Sequence, residues 1–312
     1  MDFARLKSQP LVWILLVAVL LAVVLSFLSP FFMTVGNMTN LSKQVSIVAI
    51  LAAGQAVVII SGGIDLSVGS ILALSAVVIG ALIQVDVDPA LAALAGLFTG
   101  TLAGFVNGFV ITRGNIPPFI ATLGMLGIAR GLALVITKGV SYQVLVPFFL
   151  YIGNAKFLGL PIPLYVVVIT FLIVAVMMHM TVFGQHVYAI GGNERVARLQ
   201  GIPVNRQKVK IYMLSGFLAA LAAVVMTGRL AATPPSVAQG IELQAIAAVI
   251  IGGVSFVGGR GIVVTALIGA LIMAMITNGL NILGISSFYQ QVLIGIVIIV
   301  AVWLDNLKSR AG

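Results

Sequence analysis

The sequence predicts an all-α integral membrane protein of about ten transmembrane helices, eight at the fewest, joined by short loops. Three observations predict it. Hydrophobic residues make up 61% of the chain and charged residues 7%, against about half and a quarter in soluble domains. Uncharged runs recur that match the roughly 20 apolar residues a helix needs to cross a bilayer. The Lys and Arg residues stand at the edges of those runs, where they set membrane topology. The same composition excludes a water-soluble enzyme and a disordered chain. There is no Cys, hence no disulfide framework and no thiolate metal site. The net charge of +9 is spread over span edges and not gathered on one face, so it does not point to nucleic acid.

The uncharged runs are 8–42, 44–64, 66–85, 89–112, 157–193 and 261–304. The first holds a helix near 11–28; it lacks a small-x-small cleavage site, so it reads as a retained span and not as a signal peptide. Helices near 44–61 and 66–84 follow, separated by Gly62, Gly63 and Asp65. A fourth near 90–111 and a fifth near 118–136 come next. A sixth at 161–180 opens on Pro161 and Pro163, and a seventh lies near 210–228. The eighth, 241–257, is short and glycine-rich and leaves the count open by one or two. The last run fits two helices, 262–280 and 288–304, with a turn at 281–287. Ten alternating helices from a cytoplasmic N-terminus place Arg5, Lys7, Arg113, Arg195, Arg198, Arg206, Lys208, Lys210, Arg260, Lys308 and Arg310 inside. Lys43, Lys138, Lys156 and Arg229 fall outside, so both termini are expected in the cytoplasm. Residues 1–312 read as a single transmembrane domain. Its longest external segment is 137–160 and its longest internal one 181–210, of which the loop proper is about 184–210.

Within the fourth helix Gly96, Gly100, Gly104 and Gly108 recur every four residues, which opens one face to the close approach of another helix. The run Ile60-Ser61-Gly62-Gly63 is echoed by Ile250-Ile251-Gly252-Gly253, with Gly69 and Gly259 following at equal distance, a faint hint of the internal repeats common in transporters. At the second helix end Gly62 and Gly63 stop the helix. Asp65 is placed to cap the next one by accepting its free amides, with proton or ion binding as the sharper alternative. In the internal segment Asn193 is an N-cap residue, Glu194 and Arg198 complement the dipole of a helix of about seven residues, Gly201 fits the position after its end and Pro203 the stop. So short a helix cannot stand alone in water and needs a docking surface, on its own bundle or on a partner.

Four runs together, 61–69, 189–202 (AIGGNERVARLQGI), 243–261 (LQAIAAVIIGGVSFVGGRG) and 277–284 (TNGLNILG), resemble the permease subunit of ribose-type ABC sugar importers, over roughly residues 30–306. The resemblance implies a multi-pass protein of a bacterial cytoplasmic (inner) membrane, in which two permease copies, a homodimer or heterodimer, form the pore within the membrane lipid. It implies a cytoplasmic ABC ATPase subunit, which holds the ATP and Mg, and a periplasmic or lipid-anchored sugar-binding protein. It implies that Gly191, Gly192, Asn193, Glu194, Arg195, Ala197, Arg198 and Gly201 form the helix that meets the ATPase. No catalytic residue, metal or cofactor is expected in this chain, and its substrate is a monosaccharide: a pentose, a hexose or a polyol. Independently, no Gly-Lys dipeptide occurs, so no phosphate loop is present and any ATP hydrolysis falls to another chain.

Arg130 lies inside the fifth helix, where an arginine needs a partner; Glu242, at the start of the eighth, is the expected one. Asn107, Asn278, Asn281, Gln55 and Gln244 could line a path for a neutral, hydroxyl-rich solute or join helices by hydrogen bonds. Asn278 and Asn281, with Gln244 and Asn107, are the pathway candidates. His179 reads as interfacial. Two rival readings are weaker. A proton-coupled sugar carrier would need buried acids or histidines that titrate, for which only Asp65, Glu242 and His179 offer themselves. An intramembrane serine protease would use Ser255 in Gly253-Val254-Ser255, but needs a base in reach, and both histidines, His179 and His186, sit toward the cytoplasmic side. The external surface expected to receive the binding protein includes 137–160 and Thr233-Pro234-Pro235-Ser236.

Overall fold

The computed structural model describes residues 10–311; the expected cytoplasmic N-terminus with Arg5 and Lys7 lies outside the described residues. The chain is helical almost throughout. In order, α1 is Pro10–Leu28, α2 Val35–Ile60, α3 Val68–Gln84, α4 Pro89–Arg113, α5 Pro118–Thr137, α6 Pro147–Asn154, α7 Ile162–Met180 and α8 Val182–Gly192. Then come α9 Glu194–Leu199, α10 Val204–Leu230, α11 Ile241–Ile251, α12 Thr265–Ile282 and α13 Ser287–Ala311. Four two-residue strands pair as β1 (Tyr142–Gln143) with β4 (Ala232–Thr233) and β2 (Lys156–Phe157) with β3 (Leu160–Pro161), both antiparallel. Among the described residues seven helices are long and apolar enough to cross a membrane: α1, α2, α4, α5, α7, α10 and α12. Apolar α3 and α11 are shorter, α11 rising only about 16 Å against a hydrocarbon core of about 30 Å.

Several boundaries differ from those expected, for physical reasons. Helix α2 starts at 35 and not at 44, because Thr34 caps it by accepting from the Asn37 amide at 3.4 Å. Its Lys43 is held by donating to Asn154 Oδ1 at 2.8 Å. Helix α10 starts at 204, directly after Pro203. Helix α11 stops at 251, because Gly253 takes a left-handed φ of 84°. The segment 137–160, expected on the outer side, is folded. Pro147 opens α6, whose Phe149 is buried and whose Gly153 meets Gly228 of α10 backbone to backbone.

The buried core centres on α2, buried over nearly all of Val45–Ile60 and packed by α7, α10, α11 and α12. The outer helices turn large apolar side chains outward, among them Phe98, Val168 and Leu172, each more than half exposed. In water such a surface would drive aggregation; lipid is the solvent that accepts it. The glycine face of α4 does what its spacing predicted. Gly100, Gly104 and Gly108 receive the backbone of α10 at Gly216, Tyr212 and Val209, while Gly96 packs on Ile79 of α3.

The echo between 60–63 and 250–253 is geometric but shifted by one residue. The amides of Gly62 and Gly63 reach back to Ile59 and Val58, and those of Gly253 and Val254 reach back to Ile250 and Val249. Gly62 and Gly253 share a left-handed φ near 80°, so Gly62 corresponds to Gly253 and not to Gly252.

Candidate functional site

The segment 181–203, expected on the inner side, folds into two helices and not one. Helix α8 leaves α7 at Thr181 and ends at Gly192. Asn193, extended, then caps α9 by accepting from the Val196 amide at 3.1 Å, a contact of the kind that stabilises a helix start by about 1 kcal/mol. At the other end Gly201 has φ 81°. The Ile202 amide donates to Ala197 O and the Gly201 amide to Arg198 O, both at 3.1 Å, which together satisfy the last carbonyls. Six residues need tertiary support, and they have it. Ala197 is buried against Ile190 and Val204, and Glu194 receives Arg198 at 2.8 Å and Lys208 of α10 at 2.6 Å. Burial raises the Glu194 carboxyl, and the hydrogen bonds from Lys208 and Arg198 outweigh that and hold it below the ordinary carboxylate value. The inner face of α9 thus docks on its own bundle. Its outer face presents Val196, Arg195 and Leu199, the last 81% exposed.

Beneath α9 three glycine pairs, far apart in sequence, meet backbone to backbone. The last carbonyl of α2, Ile60 O, accepts from the Gly259 amide at 2.8 Å. Gly191 lies so close to that carbonyl that a Cβ on it would overlap Ile60 O and stand 2.6 Å from Gly259 N. A Cβ on Gly258 would be 3.0 Å from Gly62 and 3.2 Å from Gly191 O. The hydroxyl of Tyr188 on α8 donates to Gly261 O at 2.8 Å. The 255–260 turn is held from its far side by Asp305, which accepts from the Phe256 amide at 3.0 Å and from Ser255 Oγ at 3.4 Å. Ser255 is therefore engaged by an acid, while His186 pairs with Gln207 and His179 stands by the Tyr188 ring. Three of the four motif runs, 61–69, 189–202 and 243–261, converge here.

Asp65 is fully buried. It does not cap α3: Ser67 takes the cap position. Asp65 Oδ1 instead accepts from the Ser67 amide at 2.9 Å and the Ser67 hydroxyl at 2.5 Å, and Oδ2 accepts from Ser215 of α10 at 2.8 Å. Asn107 of α4 donates to Ser67 Oγ at 2.9 Å. The Gln55 amide, oriented by its partners, donates to Asp65 O at 3.1 Å and accepts from Asp65 N at 3.3 Å. Thr122 of α5 and Tyr212 of α10 both donate to Ile64 O, at 3.3 and 3.4 Å. The 62–67 turn is thereby tied to four helices.

Arg130 and Glu242 are close enough for their charges to interact, but among the described residues they form no direct ion pair. Arg130 Nη1 donates to the carbonyls of Pro235 at 2.6 Å and Val237 at 2.9 Å. The reason lies in the segment 234–240, which is not an outer loop. Thr233 sits against Gly80 near the end of α3, and Ala238 and Glu242 sit against Gly69 near its start. The chain thus runs back along α3 by about 16 Å, with Thr233 and Pro235 buried. A non-helical stretch at that depth needs donors for its carbonyls, and Arg130 supplies them. Exchanging the two charges (Arg130→Glu with Glu242→Arg) is therefore expected to leave uptake as low as Arg130→Glu alone, at least ten-fold down, since a hydrogen bond to a charged group is worth about 1.5–3 kcal/mol. Recovery in the double variant would show a direct pair. Of the remaining polar candidates, Asn278 is buried and exchanges amides with Asn37 at 2.9 and 3.0 Å. Asn281 is exposed and accepts from Gln290 at 2.7 Å, and Gln244 is half-buried.

Comparison with known proteins places the chain in a family. Residues 37–302 match the family described as branched-chain amino acid transport system / permease component. The ribose import permease protein RbsC of Bacillus subtilis is 48% identical over 93% of this chain and 91% of its own length. That of Escherichia coli K12 is 42% identical over 95% and 93%, and the L-arabinose transport system permease protein AraH of the same strain 36% identical over 99% and 94%. No solved structure matches the chain. A family match across most of the chain, with identities well above 30% over nearly its whole length, means that this chain belongs to the transport-system permease components, as a multi-pass bacterial membrane permease of the ribose ABC type.

Proposed function

We propose that the chain is the membrane subunit of an ATP-driven importer that carries a monosaccharide across the bacterial inner membrane. The observation that carries this reading is the seating of α9. A helix too short to fold alone is capped at both ends and ion-paired to α10, and it turns an apolar, basic face away from the bundle. That is the surface a soluble ATPase would grip. Movement imposed there passes into α2 and the 252–261 turn through the glycine contacts below. The relatives whose printed names specify ribose, D-allose and L-arabinose support a pentose or hexose as cargo. Neutral side chains such as Asn281 and Gln244 suit a hydroxylated solute, while Asn278 and Asn107 are buried and hydrogen-bonded to Asn37 and Ser67. ATP and Mg bind the ATPase partner, a periplasmic or lipid-anchored binding protein delivers the sugar, and a second permease copy completes the pore. In this reading the seven long helices and the three shorter apolar ones, α3, α11 and α13 (Ser287–Trp303), traverse or line the bilayer, with both termini in the cytoplasm.

The test is uptake by the intact system carrying Glu194→Arg or Gly201→Pro. The first sets three cations together where two ion pairs stood. The second demands φ near −65° where the chain has 81°. Each is expected to cut sugar-dependent uptake at least ten-fold and to lower the amount of ATPase that co-purifies, with the permease still in the membrane. Unchanged uptake in both would refute the assignment of α9.

A further inference from the structure

Helices α7 and α10 both pack on α2. The gap they leave is an apolar groove of about 250 Å³, walled by Ile169, Thr170 and Ile173 of α7 and Leu214, Phe217 and Leu221 of α10. It opens on the lipid-facing surface, beside Val168 and Leu172. On α10 the wall residues recur at 214, 217 and 221, and the same face continues one turn earlier at Lys210, four residues before Leu214, with Arg206 a turn beyond. Lys210 is exposed, and among the described residues it makes no hydrogen bond or ion pair. The nearby acid, Glu194, is already taken by Lys208 and Arg198.

We propose that this groove is a binding site for an anionic phospholipid, with one acyl chain lying along it and the headgroup phosphate held by Lys210, supported by Arg206. The dimensions agree. From Leu221 to Leu214 the wall rises about 10 Å and Lys210 lies about 6 Å further on, so a chain in the groove brings its headgroup to the level of the ammonium. A lysine at such a level extends its stem along apolar surface and its charge toward the interface, and basic positions between membrane helices select anionic headgroups. An apolar helix from a second copy fits the groove less well, because it would cover Lys210 without supplying a countercharge. The site lies at the foot of α10, the helix that carries Lys208 and so holds α9. It needs only that these helices lie in a membrane, and it stands whether or not the cargo is a sugar.

The experiment uses the full-length chain in vesicles, with Trp13→Phe and Trp303→Phe to clear the background and Phe217→Trp as reporter in the groove. Fluorescence is quenched with phosphatidylglycerol or phosphatidylcholine carrying brominated acyl chains. Half-quenching is expected at about five-fold lower mole fraction of brominated phosphatidylglycerol, the preference one basic side chain near the surface confers. Lys210→Gln should abolish that preference and Lys210→Arg keep it. Leu172→Trp, on open bilayer surface, should show none, and Ile173→Trp, on the opposite wall, should repeat the Phe217→Trp result. Equal quenching by both lipids at the two groove reporters would overturn the proposal. So would the absence of quenching by either lipid, which would mean that protein covers the groove.

Discussion

Replacing Gly191 by alanine is expected to reduce uptake by more than ten-fold while the chain still reaches the membrane in normal amount. The expectation rests on the meeting of Gly191 with Ile60 and Gly259. The new methyl group would overlap Ile60 O, a carbonyl already engaged by the Gly259 amide at 2.8 Å. Neither neighbour is a flexible side chain, so the backbone of α8, α2 or the 255–260 turn must move. Overpacking of this kind costs about 1–3 kcal/mol and more where nothing can yield. A loss of that size does not unfold a bundle whose core runs the length of α2. It does separate α8 from the end of α2, which is the contact through which motion of α9 would enter the bundle. Gly192, next in sequence, supplies the control. It is exposed, nothing lies within 4 Å of where its Cβ would stand, and Gly192→Ala should transport normally. Uptake of radiolabelled sugar and permease abundance, measured together, check both. Full uptake by Gly191→Ala at normal abundance would remove the glycine contact from the coupling route.

The contrast between these two adjacent glycines marks how far the sequence could be read. The spans were legible because charge is so costly in a bilayer that its absence draws them, and α9 was legible because its start and stop signals, Asn193, Glu194 and Gly201, are local. What was not legible depends on distant partners. The first nine residues of α2 fell outside the expected helix, since Asn37, Thr39 and Ser42 give no sign that Lys43 will find Asn154. The 234–240 segment carries two prolines and read as an outer turn; only Arg130, more than a hundred residues away, lets its carbonyls lie at depth. That same arginine was expected to seek the nearest acid, a rule of charge that overlooked unpaired carbonyls as partners for a guanidinium. The meeting of Gly62, Gly191 and Gly258 did leave a trace in the sequence, a Gly-Gly pair in each of three motif runs. Their convergence at one point could come only from the fold.

Asp65→Ala is expected to be the most destabilising single change away from α9, and Asp65→Asn close to neutral. Alanine leaves three buried donors without an acceptor: the Ser67 amide, the Ser67 hydroxyl and the Ser215 hydroxyl. At about 1–3 kcal/mol for each orphaned group, the loss exceeds about 3 kcal/mol, a large part of the stability of an ordinary domain. The alanine variant should therefore be scarce in the membrane and melt well below the parent in mild detergent. Asparagine keeps an oxygen for the two Ser67 donors and turns its amide toward Ser215, whose hydroxyl can accept as well as donate. Because it cannot take the charge of a carboxylate, it also separates two roles. If Asp65 is a structural knot, Asp65→Asn should match the parent in melting temperature and in ATP-dependent uptake, and a protonophore should leave both unaffected while ATP is maintained. If the asparagine variant folds and melts like the parent yet fails to transport, a charge or proton at residue 65 takes part in the transport cycle. The knot would then have to be redescribed as a working site, and the proton-coupled reading that nothing among the relatives supports would have to be reopened.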